Sequence, residues 1–369
     1  MTQNSWGRLP GDSGRKRILS SQEAVADALE KPGKKIAFGL GRSYGDATSI
    51  PNGTQLAMSH LQRFIDFDES SGELTVEAGA SLRDIQRHFV PRGWALPVTP
   101  GTQYVTVGGA IANDIHGKSH HVHGTFAHHV TRFSLLRSDG NILECSPNRN
   151  AKYFNATIGG IGLTGIILDA TLKLERVHGP WISAQTIPFS SSDEFFDISD
   201  DLDKQWSNSV SWIDCTSRSG GKGLLMVGNR IDSDKTATLP KSIPFPISPG
   251  PSLINRLTLP ILNTGYYALS RLSSGAKTVH YEKFFYPLDG ISNWNRAYGR
   301  NGFYQYQLVI PSDAAQAATK EMLREIRRSG QGSFLAVLKK FGNKPSLGML
   351  SFPMQGATLA LDFTIRGAQ

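Results

Sequence analysis

Lys118 stands two residues after His116 and just beyond a glycine pair, and no other stretch of the chain sets as many chemically useful groups so close together. The segment reads Val107-Gly108-Gly109-Ala110-Ile111-Ala112-Asn113-Asp114-Ile115-His116-Gly117-Lys118, with Thr106 before it and Pro100-Gly101-Thr102 further upstream. Adjacent glycines followed by small residues admit a flat or extended ligand to the backbone, and His116 and Lys118 lie just beyond them, although a histidine alone in such a place is more often structural than catalytic. A second stretch, Gly39-Leu40-Gly41-Arg42-Ser43-Tyr44-Gly45-Asp46, spaces three glycines so that successive N–H groups converge on an anion such as a pyrophosphate. On spacing alone, a plain turn explains it better. A third, Gly159-Gly160-Ile161-Gly162-Leu163-Thr164-Gly165, contains a formal GxGxxG. That fingerprint must open a helix and be followed at a set distance by an acidic residue, whereas here an alternating strand follows. A Rossmann NAD site is therefore excluded.

The histidines 116, 120, 121, 123, 128 and 129 invite a metal reading. His116 and His120 share a face only on a helix, Gly117 and Gly124 argue against one, and no carboxylate or thiolate completes a ligand set. No metal is expected, and no nucleophile elbow is present.

The elements that must position these residues alternate in the first third. Ser20 and Glu23 form a capping-box pattern before Ala24, Val25, Ala28 and Leu29, and Pro32-Gly33 stops that helix. Residues 35–38 form a short strand that ends at the first glycine turn, and 74–78 a second. Ser81 and Asp84 open a helix that buries Leu82, Ile85 and Phe89 and stops at Pro91. Ile166, Leu168, Ala170, Leu172 and Leu174 predict one long alternating strand. Beyond Pro180, residues 181–231 and 277–310 read mainly as strands, a helix capped by Ser312 runs to about Arg328, and 333–338 is a further strand. A domain boundary near 178 follows, with an α+β second domain. Residues 240–251, with five prolines, predict a loop without regular structure, and 253–272 either an interfacial element or a packed loop.

Composition bounds the partners. A formal charge of +8 favours an anionic ligand or surface, but no basic run is interleaved with aromatics, so nucleic acid is not expected. Two cysteines make no disulfide framework and fit a reducing compartment. The N-terminus lacks the apolar core of a secretory signal, and residues 257–269 are too short to span a bilayer.

Taken together, GLGRSYGD at 39–46, PGT and VTVGGAIANDIHGKSHH within 100–121, GGIGLTGII at 159–167, WNRAYG at 294–299, FYQYQLVIP at 303–311 and LSFPMQG at 350–356 resemble the FAD-binding oxidases of the vanillyl-alcohol oxidase and p-cresol methylhydroxylase (PCMH) type. The resemblance runs from Ser5 nearly to the chain end. It implies an α+β fold: a two-subdomain PCMH-type FAD-binding domain over 5–178, then an α+β substrate (cap) domain on an antiparallel sheet over 179–369, with a flexible loop at about 235–275. It implies that residues 39–46, Gly101 and 106–116, namely Gly39, Leu40, Gly41, Arg42, Ser43, Tyr44, Gly45, Asp46, Thr106, Val107, Gly108, Gly109, Asn113, Asp114, Ile115 and His116, hold FAD, with Ile167 near the adenine side. Relatives with covalent flavin carry histidine where Arg42 stands, so the FAD is expected to be noncovalent. Tyr44, His116, Lys118, Asn295, Arg296, Gln305, Gln307 and Lys339 match positions that line the flavin and substrate pocket. Arg296 and Lys339 suit a substrate phosphate.

The activity implied is oxidation of a sugar's secondary hydroxyl, the 2′-OH of a polyprenylphosphoryl-β-D-ribose, by hydride transfer to flavin N5. Polyol or aldonolactone oxidation, or flavin binding with little activity, are the alternatives. An NAD-dependent reductase that completes an epimerisation for cell-wall arabinan, and the cytoplasmic or envelope-side surface of the inner membrane, are the implied partners. A pocket cysteine of several relatives reads Ala360 here. Relatives also continue past the position of Gln369 and supply a further pocket lysine, so a chain truncated at its C-terminus is expected.

Overall fold

The computed structural model describes residues 5–9, 11, 13–236, 238–250, 252–272 and 274–365. The chain forms two compact units. Unit 1 comprises 1–117, 125–179 and 346–351, and unit 2 comprises 118–124, 180–345 and 352–369. Two consecutive domains meeting near 178 would contain neither the 118–124 nor the 346–351 exchange.

Among the described residues unit 1 holds two larger sheets and one two-stranded pair, Trp94–Ala95 with Glu175–Arg176. Arg15–Ile18 (β1), Lys35–Phe38 (β2) and Thr54–Ala57 (β3) make a parallel sheet in the order β1-β3-β2. Gln22–Glu30 (α1) lies between the first two in sequence. Its cap is Ser21, whose side chain accepts from Ala24 N, so the expected start at Ser20 is corrected by one residue. The second sheet is antiparallel, in the order Phe64–Asp68 (β4), Glu73–Glu77 (β5), Ile166–Lys173 (β8), Val130–Leu136 (β6) and Ile142–Cys145 (β7). Leu82–Phe89 (α2) starts as expected: Ser81 Oγ caps Asp84 N at 3.1 Å and bonds its carboxylate at 2.6 Å.

Strand β8 does not keep a single alternation. Its register against β6 slips between Ser134 and Leu135. Such a bulge sends alternate side chains to opposite faces on its two sides. Ile166 and Leu168 thus join the core under α1, while Ala170 and Leu172 join the core under α2. The strand is buried on both faces.

Unit 2 is built on a seven-stranded antiparallel sheet. Its order is Gly275–His280 (β12), Trp181–Phe189 (β9), Gly223–Ile231 (β11), Asn208–Ile213 (β10), Val337–Phe341 (β14), Gly356–Thr364 (β15) and Phe303–Pro311 (β13). Leu225, Ile310, Leu338, Leu359 and Leu361 cover one face with Ser192–Gln205 (α5) and Ala315–Ser329 (α8). Helix α8 is capped at Ala314, two residues past the expected Ser312. Helix α5 was not expected within the strand-rich 181–231, although Ser191 and Glu194 carry its capping pattern. Residues 258–272 form a helix, Thr258–Leu272 (α6), rather than a loop. Within the proline-rich stretch, Ile243–Pro244 pairs with Ile291–Ser292, a short piece of regular structure where none was expected.

Candidate active site

In unit 1 the parallel strand β2 delivers Gly39 to the start of Val107–Ala112 (α3). A Cβ on Gly39 would lie 2.5 Å from Thr106 Oγ1, so only glycine lets the loop come this close. Thr106 caps α3, its hydroxyl accepting from Gly109 N at 3.2 Å; Gly108 and Gly109 therefore belong to a helical first turn. Gly41 takes φ +64°, and a side chain there would meet the Phe38 ring. The Arg42 guanidinium lies 3.9 Å over the Trp6 ring and 5.0 Å from that of Tyr104. Trp6 N–H donates to Ser43 O at 2.9 Å, and Ser5 Oγ to Tyr44 O at 3.4 Å. Leu40, Gly45 and Asp46 are exposed.

The 159–165 turn joins the end of α3. Gly159 N donates to Ile111 O at 3.0 Å and Ile161 N to Ala112 O at 2.9 Å. Ile161 sits at φ +54°, a conformation that a β-branched residue adopts only under constraint. The turn leads into strand β8. Gly39 and Gly41, where a side chain would collide with Thr106 and Phe38, keep the 39–46 loop to bare backbone at the start of α3, which suits a diphosphate, so the residues present fit FAD.

Several of the expected cofactor residues act inside the fold. Asp114 accepts from Ala127 N at 3.3 Å and from Ser351 Oγ at 2.6 Å. Asn113 closes α3 by donating to Gly109 O at 2.8 Å. Val107 and Ile167 are buried in the core, and Ile115 packs against it. Gly101 is exposed. His116 is half-buried and bridges to Thr125.

Of the residues expected to line the pocket, Tyr44 and His116 fall in unit 1, and Lys118, Asn295, Arg296, Gln305, Gln307 and Lys339 in unit 2. Cross-strand register explains how unit 2 gathers its own. Gln305 faces Asp362, Gln307 and Val337 both face Ala360, and Lys339 faces Thr358. Directly opposed residues share a face. Gln305, Gln307, Thr358, Ala360, Asp362 and Lys339 therefore lie together on the face opposite α5 and α8. Gln305 Nε2 donates to Asp362 Oδ1 at 2.7 Å, and Gln307 Nε2 to Thr358 Oγ1 at 3.0 Å.

Two lysines meet near this face. Lys118 Nζ donates to Phe285 O at 3.0 Å and lies 5.4 Å from the centre of the Phe284 ring. Burial pushes Lys118 down to about 8. Burial, and then the charge of Lys118, push Lys339 down to about 7. Asp362 is fully buried and pushed up to about 7 by that burial, against hydrogen bonds from Gln305 and Tyr298 that pull it down. Asn295 is buried in the turn Trp294–Tyr298. Arg296, on the same turn, donates to Phe245 O and Pro246 O, both at 3.1 Å, and so ties down the proline-rich segment.

The histidines take structural places. His120–His123 (α4) is a single helical turn that does not reach back to His116. His120 stacks on Phe341 with centroids 4.0 Å apart, and His121 Nε2 lies 2.8 Å from Trp206 O. Among the described residues, no group of three or more His, Cys, Asp or Glu is placed to hold a metal ion, and no helix is long and apolar enough to cross a membrane.

One chain that carries both an antiparallel α+β unit and a glycine-loop unit of this design has the make-up of an FAD-dependent oxidoreductase. Residues 19–146 match the family described as FAD binding domain. The chain is 35% identical to decaprenylphosphoryl-β-D-ribose oxidase of Mycolicibacterium smegmatis, over 98% of the chain and 82% of that protein. It is 30% identical to an uncharacterized protein of Streptomyces coelicolor, over 78% of the chain and 81% of the relative. With L-gulonolactone oxidase of Mus musculus it shares 33% identity over 41% of the chain and 34% of that enzyme. The chain belongs to the PCMH-type FAD-binding oxidoreductases, the family that contains decaprenylphosphoryl-β-D-ribose oxidase.

Proposed function

We propose that this enzyme oxidises a secondary hydroxyl of a sugar, the 2′-OH of a polyprenylphosphoryl-β-D-ribose, to the 2′-keto sugar. The observation that carries the reading is the unit 2 face on which two amides, Gln305 and Gln307, lie near two lysines, the half-buried Lys118 and the buried Lys339. Amides suit the hydroxyls of a sugar, and paired ammonium groups suit an anion. Similarity to decaprenylphosphoryl-β-D-ribose oxidase over nearly the whole chain supports the same substrate class.

Bound FAD, held without a covalent link, supplies the two-electron acceptor for the hydride that leaves the carbinol carbon. The protein's part is to hold the sugar and manage the hydroxyl proton. Lys118, lowered to about 8, and Lys339, lowered to about 7, are partly neutral near pH 7. Either can take that proton, and in the charged form either stabilises the developing alkoxide or a phosphate oxygen.

The test is anaerobic mixing of the yellow protein with a polyprenylphosphoryl ribose, a free pentose, a polyol and an aldonolactone. Bleaching by the lipid-linked sugar at far lower concentration than by the others is expected. Preferential bleaching by a polyol or aldonolactone would replace the substrate while keeping the chemistry.

A lipid-linked substrate requires access from a bilayer, and helix α6 favours peripheral contact with one. Leu257, just before it, and Ile261, Leu269 and Leu272 on it are 81%, 73%, 70% and 86% exposed, with Arg256 and Arg271 at either end. Such a helix lies in the headgroup region without spanning.

A further inference from the structure

Gln305 is exposed, and Asp362, the residue directly across from it, is fully buried. The two are joined by the 2.7 Å bond from Gln305 Nε2 to Asp362 Oδ1. A glutamine amide has a donor end and an acceptor end of nearly the same shape, so an unrestrained amide presents either one to a ligand. An ionised carboxylate removes that ambiguity, because it only accepts, and Asp362, pushed up to about 7 by burial, takes that form above about pH 7, where the measurement below is made. The Asp362 backbone is itself pinned, its N–H donating to Ser333 Oγ at 2.9 Å. Gln307 has the same arrangement two residues on: its Nε2 donates to Thr358 Oγ1, and that hydroxyl donates onward to Leu308 O at 2.8 Å. The Thr358 proton is thereby committed, and Thr358 too can only accept.

We propose that Asp362 is a positioning residue that locks the Gln305 amide so that its carbonyl oxygen faces the ligand as a fixed acceptor for one sugar hydroxyl. This rests on the sugar-oxidase reading and deepens it. The site then recognises a hydroxyl as a hydrogen donor and discriminates against the analogue lacking it, because an acceptor that a bound ligand covers and leaves unmatched is costly. The buried acid touches no substrate and acts only through the amide.

The experiment measures kcat/KM for anaerobic flavin reduction by the pentose substrate and by its monodeoxy analogues, in the wild type and in Asp362→Leu, Asp362→Asn and Gln305→Leu. Leucine at 362 removes the acceptor within an apolar setting, whereas asparagine keeps an acceptor and adds a donor. Flavin content confirms that each variant is folded. For one monodeoxy analogue, Asp362→Leu is expected to lower discrimination at least about ten-fold, matching Gln305→Leu. Asp362→Asn should lower it less, and Asp362→Leu should add nothing in a Gln305→Leu background. If Asp362→Leu does not fold, Asp362→Asn is judged against the same wild-type ratio. Discrimination unchanged in the folded Asp362 variant overturns the proposal, and so does discrimination unchanged in Gln305→Leu. If no sugar bleaches the wild-type flavin, the sugar-oxidase reading fails and this inference falls with it; bleaching with unaltered discrimination defeats this inference alone.

Discussion

Lys339 places an ammonium inside a sheet, and its pH behaviour follows from that. Its folded-state pKa is pushed down to about 7 from 10.5, so between those values the unfolded chain holds a proton that the folded one lacks. Stability from this group therefore rises with pH across about 7 to 10.5 and is lowest below about 7. Asp362, pushed up to about 7 from 3.8, works the other way, its contribution falling as pH rises from about 4 to 7. Lys339→Met should raise the thermal midpoint at pH 7, by up to several kcal/mol in free energy at about 1.4 kcal/mol per unit, with the gain shrinking towards pH 10. Calorimetry at the two pH values checks this, and equal gains at both would remove burial of the ammonium as the cause. For catalysis, Lys118→Ala and His116→Ala should leave flavin content intact and slow flavin reduction on the order of 100-fold. Unchanged single-turnover reduction returns both to structural roles. Arg42, stacked between Trp6 and Tyr104, offers flavin no bond-forming nitrogen of the histidine kind. Acid precipitation should therefore leave all flavin in the supernatant, and yellow pellets would contradict that. Sequence reading reached Lys118, Gln305 and Gln307 through motifs. It passed over Asp362, which sits in an apolar strand and acquires meaning only from its partner 57 positions away, across β13 and β15.

Among the elements, those with local signals were legible. Helix α2 shows its cap, its apolar stripe and its proline stop within a dozen residues, and strand β2 ends at the glycine that needs the turn. Helix α5 carries the Ser191–Glu194 cap and Phe195, Ile198 and Leu202 at helical spacing, but its dense carboxylates and strand-rich surroundings hid both signals. Helix α6 was missed because Pro260 suggests a break, yet proline is tolerated in a first turn. The bulge in β8 was invisible, since a long alternation reads the same whether or not a register slip reverses its faces. The membrane reading belongs at this scale. Replacing Leu257, Ile261, Leu269 and Leu272 by glutamine should greatly reduce flotation with anionic liposomes while leaving bound flavin unchanged. Flotation equal to that of the unaltered chain would make α6 an ordinary surface helix. Added salt should weaken binding of the unaltered chain, because its arginines and net charge of +8 act through the headgroups.

At the scale of the whole chain, the interleaving of the two units has energetic content. Residues 346–351 return to unit 1, where Leu347 packs on the core and Ser351 Oγ donates to Asp114 Oδ2 at 2.6 Å. Ser351→Ala removes a hydrogen bond to a buried carboxylate, which typically costs about 1.5–3 kcal/mol. Unfolding of two units need not be two-state, so flavin release in urea, which reports on the glycine loops of unit 1, is the appropriate measure. Its midpoint should fall in Ser351→Ala, and an unmoved midpoint would show that the bond contributes nothing there. The same return sets an order of events during synthesis. Residues 180–345 emerge before 346–351 do, and at about 5–20 residues per second they take on the order of ten to thirty seconds. Throughout that interval the nascent unit 1 holds Asp114 without its serine. Its last tie arrives only after most of the other unit has been made, so the ribosome delivers the two units as one intertwined product rather than in sequence.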